Sequence, residues 1–212
     1  MAEARRIGAP RVEEEYAEAA AHYDRKWRRY IEASARETIR RMPLPPTARV
    51  LDVGCGTGAL LQALQASHPG AALAGIDPVP QMLEQARSKL GSRADLRVGY
   101  AEALPWDAGA FDVVVSCNVF HYIGRPLDAL GEMARVLRPG GTVVITDWCD
   151  DFVACRVCSL YLRATRRSLH RIYRGAELCA LLGEAGFAGA RLERYRISWL
   201  WGLMTASARL SP

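Results

Sequence analysis

From Glu13 to Met42, apolar and aromatic residues recur at steps of three and four, at Tyr16, Ala20, Tyr23, Trp27, Ile31, Ala35 and Ile39. That is the stripe of one long amphipathic helix or a kinked pair. "PLPP" at 43–46 cannot continue a helix and ends it. Beyond it the period changes. Short apolar runs predict strands at 48–53, 71–76, near 94–98 and at 111–119, with helices at about Ala59 to Ser67 and Val79 to Leu90 between the first three. "PLDALGEMARVLRPGG" reads as a helix stopped by Pro139 and the glycine pair, and "TVVITDW" as a fifth strand. The remainder predicts a helix from Asp150 to about Ser168, another at 174–185 closed by Gly186, and two strand-like runs near 188–196 and 197–206. Strands alternating with helices at this spacing imply right-handed crossovers and a parallel sheet covered on both faces. Such sheets bind ligands beyond the carboxyl ends of their strands.

Composition narrows this little. With 212 residues, 50% of them hydrophobic and 24% charged, the chain can close one sizeable core, and one domain is expected. The net charge of +5 is spread among many acids with no block of five like charges, so it permits an anionic partner without demanding one. The six cysteines are scattered through strands and helices, which points to reduced thiols and a cytoplasmic protein. No uncharged apolar stretch reaches the roughly 20 residues of a membrane span, and "MAEARRIGAPRVEEEYAEAA" lacks the apolar centre of a signal peptide.

Candidate chemistry concentrates in "VLDVGCGTG" at 50–58. Gly54, Gly56 and Gly58 sit where a first strand hands over to a first helix, so a ligand can approach bare backbone and free N–H groups there. The spacing is G-x-G-x-G, whereas the dinucleotide fingerprint places its third glycine one position later. Asp52 repels a pyrophosphate and suits a ligand bringing an ammonium group. Asp77 closes the second strand at the distance expected of an acid that accepts ribose hydroxyls, and "DPVPQ" also lets it start a helix.

With "GIDPVPQMLEQAR" at 75–87, "GYAEALPW" at 99–106, "FDVVVSCNVFHYI" at 111–123 and "EMARVLRPGGTVVITDW" at 132–148, the chain resembles class I S-adenosylmethionine-dependent methyltransferases, of the branch that includes ubiquinone- and menaquinone-biosynthesis enzymes. The resemblance implies a Rossmann-like α/β fold with a seven-stranded, mostly parallel sheet whose last strand is antiparallel. It also implies one domain, with a helical lid at 14–42, a cofactor-binding core at 48–148, substrate-side helices at 149–185 and closing strands at 186–212. It gives Gly54, Gly56 and the surrounding backbone to the methionine portion of S-adenosylmethionine, Asp77 to the ribose and Met82 to the adenine. Asn118 falls where the family touches the methionine amine or carboxylate, and Tyr23 and Trp27 where a lid covers the cofactor. Tyr100 stands where the family usually has an acid for the adenine amino group, which moves that contact to the Ala101 backbone or to Glu102. S-adenosylhomocysteine is the expected product.

His121 is the sole histidine near the presumed reaction centre and a candidate base for an acceptor proton. Cys149, Cys155 and Cys158 have no second pair and no zinc-type spacing with histidine, so no metal is expected. "RATRRSLHRIYR" at 163–174 reads as a solvated basic surface or an anion-steering rim. Together these features predict methyl transfer to a small-molecule O, N, S or C nucleophile. Two competitors stand beside it: a nucleic-acid or protein methyltransferase, and a non-catalytic scaffold of the same fold. Against nucleic acid, the fourth strand exits as "SCNVF" without the Pro-Pro-aromatic pattern used on flipped bases.

Overall fold

A computed structural model describes residues 9–153, 155–157, 171–199 and 201–211. Its elements in chain order are α1 (Ala9–Arg41), β1 (Arg49–Val53), α2 (Ala59–Ser67), β2 (Ala72–Asp77), α3 (Pro80–Leu90), β3 (Ala94–Val98), β4 (Phe111–Cys117), α4 (Pro126–Val136), β5 (Leu137–Trp148), α5 (Gly175–Glu184), β6 (Phe187–Arg196) and β7 (Gly202–Leu210). The strands form one seven-stranded sheet in the order β3-β2-β1-β4-β5-β7-β6. β1 through β5 pair in parallel, and β7 runs antiparallel to both of its neighbours, β5 and β6. This is the seven-stranded, Rossmann-like architecture expected from the sequence.

Residue alternation divides the core into two layers. Val50, Val113, Val115 and Val144 face one side, where Leu61 and Leu64 of α2, Leu83 of α3 and Ala35 of α1 cover them. Leu51, Val53, Val114, Val143 and Ile145 face the other, under Leu130 and Met133 of α4 and Leu178 and Leu182 of α5. The central strands are buried on both faces, and this is why "RVLDV" and "FDVVVSC" read as nearly continuous apolar runs. Strand order reverses at β1, whose neighbours are β2 and β4. The crevice at the carboxyl ends of β1 and β4 is therefore the topological switch point of the sheet.

The structure shifts several sequence expectations. α4 ends at Val136, not at Pro139, and β5 begins at Leu137. Phe111 pairs with Leu137 and Val113 with Thr142, so "RPGG" is accommodated as an irregularity within the ladder, with Gly140 at φ 72. Residues 197–199 and 201 turn instead of extending: Ile197 N–H donates to Trp201 O and Trp201 N–H to Ser198 Oγ, so the last strand begins at Gly202. Of the helix expected from Asp150 to Ser168, Val153 and Cys155–Val157 are helical and 158–170 lie outside the described residues, as do Cys158 and most of the basic run. Cys149 Sγ donates to Asp151 Oδ2 and Cys155 Sγ to the Gly202 carbonyl. Among the described residues no helix is long and apolar enough to cross a membrane.

Candidate cofactor crevice

The three glycines of the turn meet three different demands. All have left-handed backbones, with φ of 77, 51 and 76 for Gly54, Gly56 and Gly58, a region open to glycine at little cost. A Cβ on Gly54 would lie 2.4 Å from Cγ1 of Val119, at the exit of β4. One on Gly58 would press on Ala86 and Leu90 of α3. Gly56 meets nothing within 4 Å and presents bare backbone to a cavity of about 160 Å³.

Two carboxylates of the sheet edge line that cavity. Asp77 Oδ2 accepts the Gly56 N–H and Oδ1 the Val79 N–H, each at 2.9 Å, so one side chain braces the glycine turn and the start of α3 together. Burial pushes its carboxyl up to about 6, opposed by those two N–H donors. Asp52 is buried, and its Oδ1 has no hydrogen-bond partner among the described residues. Burial first, and the neighbouring Asp77 second, push Asp52 up to about 8. An unpartnered buried acid is costly and marks a place built for something else. A third carboxylate comes from α1: the Tyr100 hydroxyl donates to Glu13 Oε1 at 2.7 Å, and Glu13 lines the cavity. Where the resemblance expects an acid, this chain has a tyrosine that holds one. Ala101 and Glu102 are not among the lining residues.

α1 forms the roof. Tyr16, Tyr23 and Tyr30, seven residues apart, all line the cavity. The Tyr16 hydroxyl donates to the Tyr122 hydroxyl at 3.2 Å, and the rings of Tyr16 and Tyr23 lie 5.7 Å apart. Tyr30 donates to Asn118 Oδ1 at 2.7 Å and accepts from Trp148 Nε1 at 2.6 Å, while Asn118 Nδ2 donates to Ser34 Oγ. Asn118 has φ 61, the one left-handed backbone outside glycine among the described residues. Strain of that kind gathers at functional sites. Farther along, Thr57 Oγ1 donates to Asp24 Oδ1, and Lys89 pairs with the same carboxylate, tying the roof to the glycine turn.

Tyr23, Asp52, Gly54, Gly56, Asp77, Met82 and Asn118 thus converge on one cavity. Trp27 does not: it is 37% exposed and faces an outer cleft beside Trp201. His121 is buried outside the lining, stacked on Trp148 at 5.1 Å and 4.1 Å from the ring of Tyr122, which does line the cavity. Its Nδ1 lies 2.6 Å from Asp147 Oδ1, and Asp147 also accepts the N–H groups of His121 and Trp148. A carboxylate accepts, so in this contact Nδ1 carries a proton. Tyr16, Tyr30, Ser34 and Glu13 are residues that the sequence did not single out for this site. The seven-residue repeat of tyrosines was the available signal.

Residues 51–145 match a family model described as a methyltransferase domain. The chain is 36% identical over 148 residues to the malonyl-[acyl-carrier protein] O-methyltransferase of Geobacter sulfurreducens, covering 66% of this chain and 55% of that protein. It is 37% identical over 129 residues to a demethylmenaquinone methyltransferase of Deinococcus radiodurans, covering 59% and 50% respectively. The chain spans about half the length of the curated relatives it matches. In fold it is similar to a chain of the Haloferax volcanii complex between the Trm112 methyltransferase activator and its methyltransferase, with a TM-score of 0.82, 22% identity, and coverage of 93% of this chain and 98% of that one.

Proposed function

We propose, from the match of residues 51–145 to a methyltransferase-domain model, that this chain is a class I S-adenosylmethionine-dependent methyltransferase and transfers a methyl group from S-adenosylmethionine to a small-molecule acceptor. One observation carries the reading: among the described residues the cavity at the switch point is lined by Glu13, Asp52 and Asp77 and by no lysine, arginine or histidine. Such a pocket repels phosphate and favours a cation that carries an amine and no phosphate.

The residues present fit that cofactor. On this reading Asp77 takes the ribose hydroxyls and Met82, buried at the start of α3, lies against the adenine. Glu13, held by Tyr100, takes the place of the acid for the adenine amino group. Gly54, Gly56 and Asn118 serve the methionine portion, with Asp52 answering its ammonium. When bound, the cofactor supplies an electrophilic methyl on a sulfonium. Tyr16, Tyr23 and Tyr30 then keep water from it, which favours attack by the acceptor. The cavity of about 160 Å³ is smaller than a ligand of that size requires, so α1 must lift to admit it and close again. Segment 14–42 is on this reading the lid, and 149–185 the acceptor side.

His121 is the group we assign to the acceptor's proton, oriented by Asp147 behind it. His121→Asn should lower turnover of a phenol or thiol acceptor by about 10²-fold, with S-adenosylhomocysteine affinity unchanged. Weaker product binding with turnover unchanged at saturating cofactor would assign the ring to packing alone.

The test of the function is calorimetry with S-adenosylmethionine and S-adenosylhomocysteine, followed by mass spectrometry of candidate acceptors for the gain of one methylene unit. Micromolar binding and a methylated product are expected. Silence toward both compounds, or NAD in the same crevice, overturns the reading.

A further inference from the structure

α1 carries a second chemical feature that the cofactor does not use. Arg25, Lys26, Arg28 and Arg29 are all exposed and line a cleft of about 490 Å³, closed on the far side by the turn at Ile197, Ser198 and Trp201. Several arginines elsewhere are ion-paired, Arg41 with Glu37 and Glu193, Arg97 with Asp95, Arg135 with Glu132 and Arg138 with Asp112. None of the four cleft cations has an ion pair among the described residues, and Asp24 beside them is engaged by Lys89 and Thr57. Like charges three and four positions apart on a helix repel, by a few tenths of a kcal/mol for each pair. Lys26 lies over the Trp27 ring, 5.4 Å from its centroid, and the three arginines leave a concentrated positive charge along the cleft.

The cleft's other walls are aromatic, made by Trp27, Tyr30 and Trp201. From there rings continue inward: Trp201 lies 5.4 Å from Tyr30 and 4.8 Å from Trp148, and Trp148 stacks on His121. Tyr30 is the shared wall, lining this cleft and the acidic cavity alike. The two compartments have opposite charge. An anion is repelled by the inner acids and held by the outer cations, while a cation is sorted the other way.

We propose that this cleft is the subsite for the anionic end of the acceptor, a planar conjugated molecule bearing a carboxylate or a phosphate. The arginines grip the anion with paired N–H donors, Trp27 and Trp201 stack on the planar body, and the opposite end of the molecule reaches past Tyr30 toward the methyl donor. Calling the occupant an acceptor rests on the methyltransferase reading. The anion site itself does not.

Calorimetry with 2-naphthyl phosphate, 2-naphthoate and the neutral 2-naphthamide tests it, together with S-adenosylhomocysteine as a control. Both anions should bind more tightly than the amide, and Arg28→Gln/Arg29→Gln should weaken the anions by about tenfold or more while leaving the amide and S-adenosylhomocysteine unchanged. Trp27→Ala should weaken all three naphthyl probes alike. Equal affinity for charged and neutral probes, or no effect of the double variant, overturns the proposal. So does a double variant that loses only co-sedimentation with phosphatidylglycerol vesicles, because the charge would then serve a membrane surface. Arginine-dependent anion binding in a protein that ignores S-adenosylhomocysteine would uphold the anion site and defeat the methyltransferase reading.

Discussion

Replacing Asp77 by alanine should weaken S-adenosylhomocysteine binding by about 10²-fold or more and abolish turnover at ordinary cofactor concentrations. Two losses combine. A carboxylate that accepts hydrogen bonds from a ribose diol contributes about 1.5–3 kcal/mol for each bond, and alanine makes neither. The same oxygens also accept the N–H groups of Gly56 and Val79, so the bare turn and the first residues of α3 lose the group that fixes them relative to each other. Asp77→Asn separates the two effects. The amide carbonyl can keep one of those N–H bonds and the side-chain shape, so binding should fall by less than in the alanine variant while the thermal midpoint stays near that of the parent. Calorimetry and a melting curve on both variants are sufficient. An alanine variant with unaltered affinity and kinetics would contradict the ribose assignment.

What was legible in the sequence follows the range of the interactions. The glycine turn, Asp52 and Asp77 lie within one strand–turn–helix unit or its immediate successor, where spacing alone carries the geometry. The sheet was legible for the same reason, since parallel strands buried on both faces leave unbroken apolar runs. What the sequence did not disclose depends on how α1 lies across the sheet. Tyr30 meets Asn118 across 88 positions and Glu13 meets Tyr100 across 87, and no local pattern encodes either pair. The stripe containing Tyr16, Tyr23 and Trp27 was visible, but a helix of 33 residues turns its faces toward different neighbours along its length. Tyr16 and Tyr23 therefore roof the cavity while Trp27 faces the outer cleft. The substitution of Tyr100 for an acid looked like a loss when read locally. In three dimensions it positions Glu13. The start of β5 at Leu137 was hidden because Pro139 and the glycines that follow read as a helix stop, although a ladder can absorb them as an irregularity.

Cofactor affinity should depend on pH through Asp52, with a sign set by its raised carboxyl. In the free protein burial and Asp77 push that group from its ordinary 3.8 up to about 8, so the native state holds it protonated at neutral pH while the unfolded chain ionises it. A raised native value adds stability that is fully present below about pH 4 and is lost as pH rises through about 8. Free protein should therefore become less stable across that window, and Asp52→Asn, which stays neutral at every pH, should flatten the trend. Binding a ligand that brings an ammonium group to Asp52 reverses the preference, because the ionised carboxylate now has a partner. Through Asp52, complex formation should then release close to one proton at about pH 6 to 7 and about half of one at about pH 8, and affinity should rise by up to about tenfold per pH unit before levelling above about 8. Asp77, raised to about 6, adds a second rise at lower pH. Titrating S-adenosylhomocysteine into the protein in phosphate and in Tris, whose ionisation enthalpies differ, reads the proton count directly. Asp52→Asn should bind more weakly and, above about pH 7, without proton release. Equal heats in the two buffers for the parent protein would mean that the protonation of Asp52 does not change on binding, and would contradict its assignment to the ammonium.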